Sequence, residues 1–264
     1  MFGIKHTAQE LPVIAGKVRA DQEKAPKQDL FWQRGQITID LSTAAGRFEL
    51  LIYTILSGAK VRRAILDQTF QALREAGLVN SVRLAQQNLQ DKEKVKTILS
   101  CYYRALTSHV RKVQAIFAAG TTVEQQYAGD IGTLYTVAAG DSKNIIKGVR
   151  EFAGINLQAS WFCREMKLAG VWADLDQAVC LIVDPEIKVP LWYLGFAGVD
   201  SYFLRDVPLR ECFQALERYF GGDPFPVLIK SRWYCQKGDS SLCKAQCSVF
   251  EVCQIRFQKS AGCF

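Results

Sequence analysis

The chain reads as an all-α protein. Apolar residues recur every three to four positions through most of it, glycine or proline closes one short segment after another, and β-type alternation is rare. The first thirty residues are polar, carry lysines and show no clear period. Gln36–Leu41 alternates enough for a short strand, or for a turn entering a helix. Helical patterning begins at Arg47, where Phe48, Leu51, Ile52, Ile55 and Leu56 form one apolar stripe that Gly58 ends. Val61–Ala76 repeats the pattern through Ile65, Phe70 and Leu73, and Gly77 is placed to close that helix. Further helices are expected at 81–89, 91–106, 108–119, 124–138 and 142–152 and, after a break at Ala153–Asn156, at Leu157–Leu168. Asp176–Val183 looks buried, and Asp184-Pro185 stops it. Pro208–Tyr219 and Pro226–Trp233 each open with a proline near the first turn, where its missing N–H costs nothing. Gly221–Pro224 reads as a turn.

Size and charge narrow the classes. A chain of 264 residues is one large domain or two small ones, and 49% hydrophobic with 22% charged residues excludes wholesale disorder. The net charge of +7 suits a partner with a phosphate backbone or another acidic surface. No uncharged apolar run reaches the roughly 18 residues of a membrane span. Leu11–Gly16 is too short for a signal peptide, with Lys17 and Arg19 close behind. The expected compartment is the cytoplasm.

Nine cysteines are present, and five fall in the last thirty residues: Cys235, Cys243, Cys247, Cys253 and Cys263. A reducing compartment disfavours disulfides, so four close cysteines read as a metal site. The two histidines, His6 and His109, leave little for a Cys/His finger or a His-based triad. His109 reads as an exposed helix residue. Cys101, Cys163, Cys180 and Cys212 read as small core residues and Cys263 as a free tail thiol. Trp161, Phe162, Trp172, Trp192 and Tyr193 read as core aromatics, one of which could instead stack on a base.

The informative stretch is Asn144–Val179. One helix ends at Phe152, a short turn carries Gly154 and Asn156, and a second helix starts at once. Such a hairpin can aim backbone N–H groups and a helix N-terminus at a phosphate. Gly154 permits a positive φ, Asn156 tolerates one, and Lys147, Arg150 and Arg164 flank the turn with positive charge. A plain packing corner between two helices is the alternative.

Phe152-Ala153-Gly154-Ile155-Asn156-Leu157-Gln158-Ala159-Ser160 resembles the hairpin of the helix-hairpin-helix, endonuclease III-like DNA glycosylases, which runs roughly Leu-Pro-Gly-Val-Gly-x-Lys-Thr-Ala. Asp176 falls eighteen residues after Gln158, the separation at which that family carries its aspartate. Phe48–Ser57 looks like the family's first core helix and Ser142–Ile146 like the helix before its hairpin. The wording around Gly154–Met166 is most similar to the archaeal-type 8-oxoguanine glycosylases, and the likeness covers about residues 40–255.

The departures carry chemistry. Asn156 replaces the second hairpin glycine, and Asp176-Gln177-Ala178 stands where Asp-x-His is common. The position of the family's Schiff-base lysine is Gln158, and a carboxamide has no nucleophilic amine and forms no imine. The resemblance therefore implies a monofunctional glycosylase. Asp176 would stabilise the oxocarbenium-like sugar and take a proton from the attacking water, while Gln158 would hydrogen-bond the base, the water or the sugar. Asp174 is its rival, otherwise a helix-start charge or cap. Lys60, Val61, Arg62 and Arg63 occupy the place where the family lines its DNA cleft and fills the gap left by a flipped base. A solvated helix start is their alternative role.

The cysteine spacing is Cys235-x7-Cys243-x3-Cys247-x5-Cys253. Four thiolates can close around one tetrahedral ion or one cubane cluster. The family often carries a [4Fe–4S] loop here; the first two gaps are each one residue longer in this chain and the last agrees. The resemblance favours that cluster over zinc. Lys230, Arg232, Lys237 and Lys244 would put positive charge on the loop.

These expectations make a two-lobed helix-hairpin-helix glycosylase with a C-terminal four-cysteine metal loop. Residues 1–46 form a lead packing on the second lobe, 47–160 a helical lobe ending in the hairpin, 161–234 the second lobe with Asp176, and 235–264 the metal loop and tail. The expected partner is double-stranded DNA with a damaged or mismatched base, the expected state a monomer. A catalytically silent nucleic-acid-binding protein and an N-glycosidase acting on a nucleoside or RNA are the alternatives.

Overall fold

Asp40 decides where the first helix begins. Its carboxylate accepts hydrogen bonds from the Ser42 N–H at 3.0 Å and the Ser42 hydroxyl at 2.6 Å, closing a turn. Thr43 then caps α1, Ala44–Leu56, its hydroxyl accepting the Gly46 N–H at 3.0 Å. Gln36 lies outside the described residues, and of the two readings of Gln36–Leu41 residues 37–41 show the turn entering a helix. The structure, a computed structural model, describes residues 37–57, 61, 63–102, 109–156 and 158–180, with 10, 12, 13, 16 and 17 near the start. Among the described residues there are helices and turns but no strand.

A Cβ added at Gly46 would overlap the Asp40 carbonyl oxygen. Gly→Ala inside a helix ordinarily stabilises by up to about 1 kcal/mol. At Gly46 the sign is expected to reverse, with a loss of roughly 1–3 kcal/mol from overpacking. Urea unfolding of Gly46→Ala would show this as a lower midpoint at unchanged slope. A stabilised variant would mean that the Asp40 turn is not tied to α1.

The stripe expected on α1 is in fact buried nearly all round. Phe48 and every residue from Leu50 to Leu56 are buried, which marks a central helix rather than an amphipathic one. Its polar groups are satisfied internally: the Thr54 hydroxyl donates to the Leu50 carbonyl at 2.7 Å and the Tyr53 hydroxyl to Asp67 at 2.6 Å. α2, Arg63–Glu75, packs on it and ends at Gly77 with φ +65°. The Leu78 N–H reaches the Leu73 carbonyl and the Gly77 N–H the Arg74 carbonyl, both at 2.9 Å, the paired bonds of a Schellman cap.

Asn80 caps the short α3, Ser81–Ala85, and α4 follows as Leu89–Tyr102. α5, His109–Tyr127, runs straight through the break expected between 119 and 124. Gly120 is not a helix end but a notch: a Cβ there would lie 2.6 Å from the Leu84 Cβ, so its absence lets α3 cross α5 closely. A short 3-10 turn, Ile131–Thr133, leads into α6, Leu134–Val137, then α7, Ser142–Glu151, and α8, Gln158–Leu168. A second 3-10 turn spans Gln177–Cys180.

The chain divides into two compact units, Phe31–Cys180 and a second of Met1–Leu30 with Leu181–Phe264. The first unit extends past the boundary read at residue 160, because α8 packs on α1 and α7. Trp161, Phe162 and Trp172 are buried, as expected of core aromatics, and so are Cys163 and Cys180. Cys101 is instead exposed on α4. Trp192, Tyr193, Cys212, Cys263 and the helices expected at 208–219 and 226–233 lie outside the described residues. No helix among the described residues is long and apolar enough to cross a membrane.

Candidate nucleic-acid interface

α7 has two distinct faces. Ile145, Ile146, Gly148 and Val149 are buried, while Lys143, Lys147 and Arg150 are exposed at i, i+4 and i+7. Asp141 caps its start, accepting the Asn144 N–H at 2.8 Å. Phe152 and Ile155, both buried, anchor the turn that follows. The Ile155 N–H donates to the Phe152 carbonyl at 3.1 Å and Gly154 has φ +84°, the hydrogen bond and left-handed third residue of a type II turn. Gly154 is exposed and sits over Ile55 and Ala115.

Asn156 departs from expectation. It does not take a positive φ, since the type II turn needs only Gly154 there. Its N–H donates to the Gln158 side-chain oxygen at 3.2 Å, and its carbonyl accepts the Ala159 N–H at 3.1 Å as α8 begins. Gln158 is therefore engaged with the hairpin backbone. Arg164 also differs from its expected flanking role. Its side chain is only 11% exposed and lies 3.4 Å from buried Glu165, because α8 is packed on most sides.

Asp176 is exposed, directly after fully buried Leu175. Residues 171–174 form turns rather than a helix, so Asp174, also exposed, is not a helix cap. The Asp176 N–H donates to the Ser142 hydroxyl at 2.9 Å, and its carbonyl accepts the Val179 N–H at 3.1 Å. Lys167 donates its ammonium to the Leu175 carbonyl. Asp176 is thus anchored at the first turn of α7 and the hairpin follows the last, about 13 Å apart along the helix axis at 1.5 Å per residue. The hairpin and the acid share one helix. Gln158 is held at the hairpin, not at the acid's anchor.

Lys60, Arg62 and the cysteines Cys235, Cys243, Cys247 and Cys253 lie outside the described residues. Among the described residues no group of His, Cys, Asp or Glu is assembled to hold a metal ion. Burial pushes the Cys163 thiol up, far from thiolate chemistry. His109 is half-buried at the start of α5 rather than exposed.

The sequence reading missed Lys112. Its ammonium donates to the Ile55 and Leu56 carbonyls, each at 2.7 Å, at the end of α1 beneath Gly154. The signal was present: Lys112 falls on the same stripe of α5 as Ala115, Ile116, Ala119 and Val123. Burial lowers its pKa from 10.5 to about 8. A neutral amine keeps two N–H groups, enough for both carbonyls. Between pH 8 and 10.5 the unfolded chain holds the Lys112 proton and the folded chain does not, so stability is expected to rise with pH there. The limit is about 1.4 kcal/mol per pH unit. Urea unfolding of wild type against Lys112→Met across that window isolates this group. A difference that stays constant with pH would contradict the shift.

Compared with known proteins, the chain matches no protein-family model and no curated relative.

Proposed function

We propose that the protein is a base-excision DNA glycosylase of the helix-hairpin-helix type, hydrolysing the bond between a damaged or mispaired base and its sugar in double-stranded DNA. One observation carries this: an exposed carboxylate, Asp176, anchored at one end of a helix whose other end opens into a Gly154 turn and whose outer face is cationic. The Lys143, Lys147 and Arg150 row suits a phosphate backbone. Asp176 would face the sugar after the base is flipped, stabilising its positive charge and activating water. Gln158 supplies no amine, so the enzyme is monofunctional. Its bond to Asn156 makes its first task holding the hairpin turn.

The four C-terminal cysteines Cys235, Cys243, Cys247 and Cys253 offer a complete thiolate set for a [4Fe–4S] cluster, with zinc the competing ion. Iron and sulfide in fourfold ratio to protein, against one zinc, distinguishes them. In this proposal the cluster is structural.

A silent nucleic-acid binder is the second reading, favoured by the location of Gln158 at the hairpin rather than at Asp176's anchor. The test is release of free base by the full chain from duplexes carrying 8-oxoguanine, uracil, hypoxanthine or adenine opposite 8-oxoguanine, beside the matching RNA and nucleosides. Release from at least one duplex is expected, with no covalent protein–DNA adduct trapped by borohydride. A robust adduct refutes the monofunctional assignment. Release from RNA or nucleoside alone makes the enzyme an N-glycosidase of another class, and tight duplex binding without release makes it the binder.

A further inference from the structure

The backbone around Asp176 is held far more firmly than an exposed acid needs. The Leu175 carbonyl and the Asp176 N–H belong to a single peptide group, and both ends of it are taken. Lys167, in the last turn of α8, donates to the carbonyl; Ser142, the first residue of α7, accepts the N–H through its hydroxyl at 2.9 Å. The bonds continue on either side. The Leu175 N–H donates to the Trp172 carbonyl and the Val179 N–H to the Asp176 carbonyl, each at 3.1 Å. Leu175 and Trp172 are fully buried, and the Trp172 indole N–H is fixed on the Gly132 carbonyl at 3.0 Å. With this peptide plane pinned and the Asp176 carbonyl held by the Val179 N–H, the backbone torsions of Asp176 are confined, and with them the direction of its Cα–Cβ bond.

We propose that Ser142 and Lys167 are positioning residues that jointly clamp the Leu175–Asp176 peptide and aim the Asp176 carboxylate. The functional half of this rests on the glycosylase reading; the clamp itself does not. Neither residue touches substrate in this account. Each acts through the peptide, so each variant should slow the chemical step without weakening DNA binding. Misplacement of a reacting group by about 1 Å costs on the order of 100-fold, which sets the scale of the loss.

The experiment has two arms. In the first, single-turnover base release is measured for wild type, Ser142→Ala, Ser142→Thr, Lys167→Met and Lys167→Arg on whichever of the four duplexes the wild type processes. Ser142→Ala and Lys167→Met should lower the saturating rate by roughly 10- to 100-fold, with the half-saturating protein concentration unchanged. Threonine restores the hydroxyl and arginine the cation, so both should recover most of the rate. Full rates in Ser142→Ala and Lys167→Met overturn the proposal.

The second arm reads the clamp without any reaction. Amide hydrogen exchange at Asp176 should be slow in wild type and at least about tenfold faster in Ser142→Ala, the value of one hydrogen bond. Equal exchange in the two proteins overturns the clamp even if base release is seen. If no duplex is processed, the glycosylase reading fails by itself, and the exchange result alone upholds or overturns the clamp.

Discussion

Asp176→Asn is expected to slow base release by about 10²- to 10⁴-fold, the usual worth of a well-placed acid–base group. The substitution leaves the backbone anchors of this position intact. Every hydrogen bond that anchors residue 176 through its backbone, from Val179 and to Ser142, is indifferent to the side chain. Leu175 still fills the core beside it. Asparagine therefore removes a negative charge and a proton acceptor while the loop stays in place. Duplex affinity should match wild type. A fully active Asp176→Asn would show that another group stabilises the sugar; equal inactivity of both proteins on lesion duplexes they bind would favour the silent binder.

Trp172→Ala has the largest expected effect on the fold. The indole is fully buried, stacks edge-on against Phe162 at 5.7 Å between ring centres, and reaches across to the 3-10 turn after α5 through its N–H. Removing it costs about 3–5 kcal/mol for the cavity alone, and leaves the Gly132 carbonyl without that donor. Trp172→Phe keeps most of the volume and loses the N–H, so it should fall between. Urea unfolding of the three proteins measures both parts, and a loss under about 1 kcal/mol for alanine would contradict the packing described. Because residues 171–175 carry Asp176, Trp172→Ala should also speed amide exchange at Asp176.

Local chemistry made several features legible in advance. The 3.6-residue period located α1, α2, α7 and α8, and Gly77 and Gly154 marked ends where a positive φ is required. What escaped depends on contacts distant in the chain. Gly120 looks like a helix breaker until Leu84 is seen against it. Arg164 looks like a surface cation until α8 is wrapped by its neighbours. Asp176 stood out by its spacing, but its anchor Ser142 lies 34 residues earlier, and nothing in the Ser142–Ile146 segment pointed to that contact. Lys112 illustrates a different failure: its place on an apolar stripe was readable, and its charge disguised it.

The crossing of α3 over α5 has a consequence for how this protein can vary. What occupies the space at Gly120 is the Leu84 Cβ at 2.6 Å and, at 3.1 Å each, the Ala85 nitrogen and the Ser81 carbonyl oxygen. Trimming residue 84 to alanine leaves all three in place. Position 120 is therefore held to glycine by the neighbouring backbone, and no exchange of side chains across the crossing releases it.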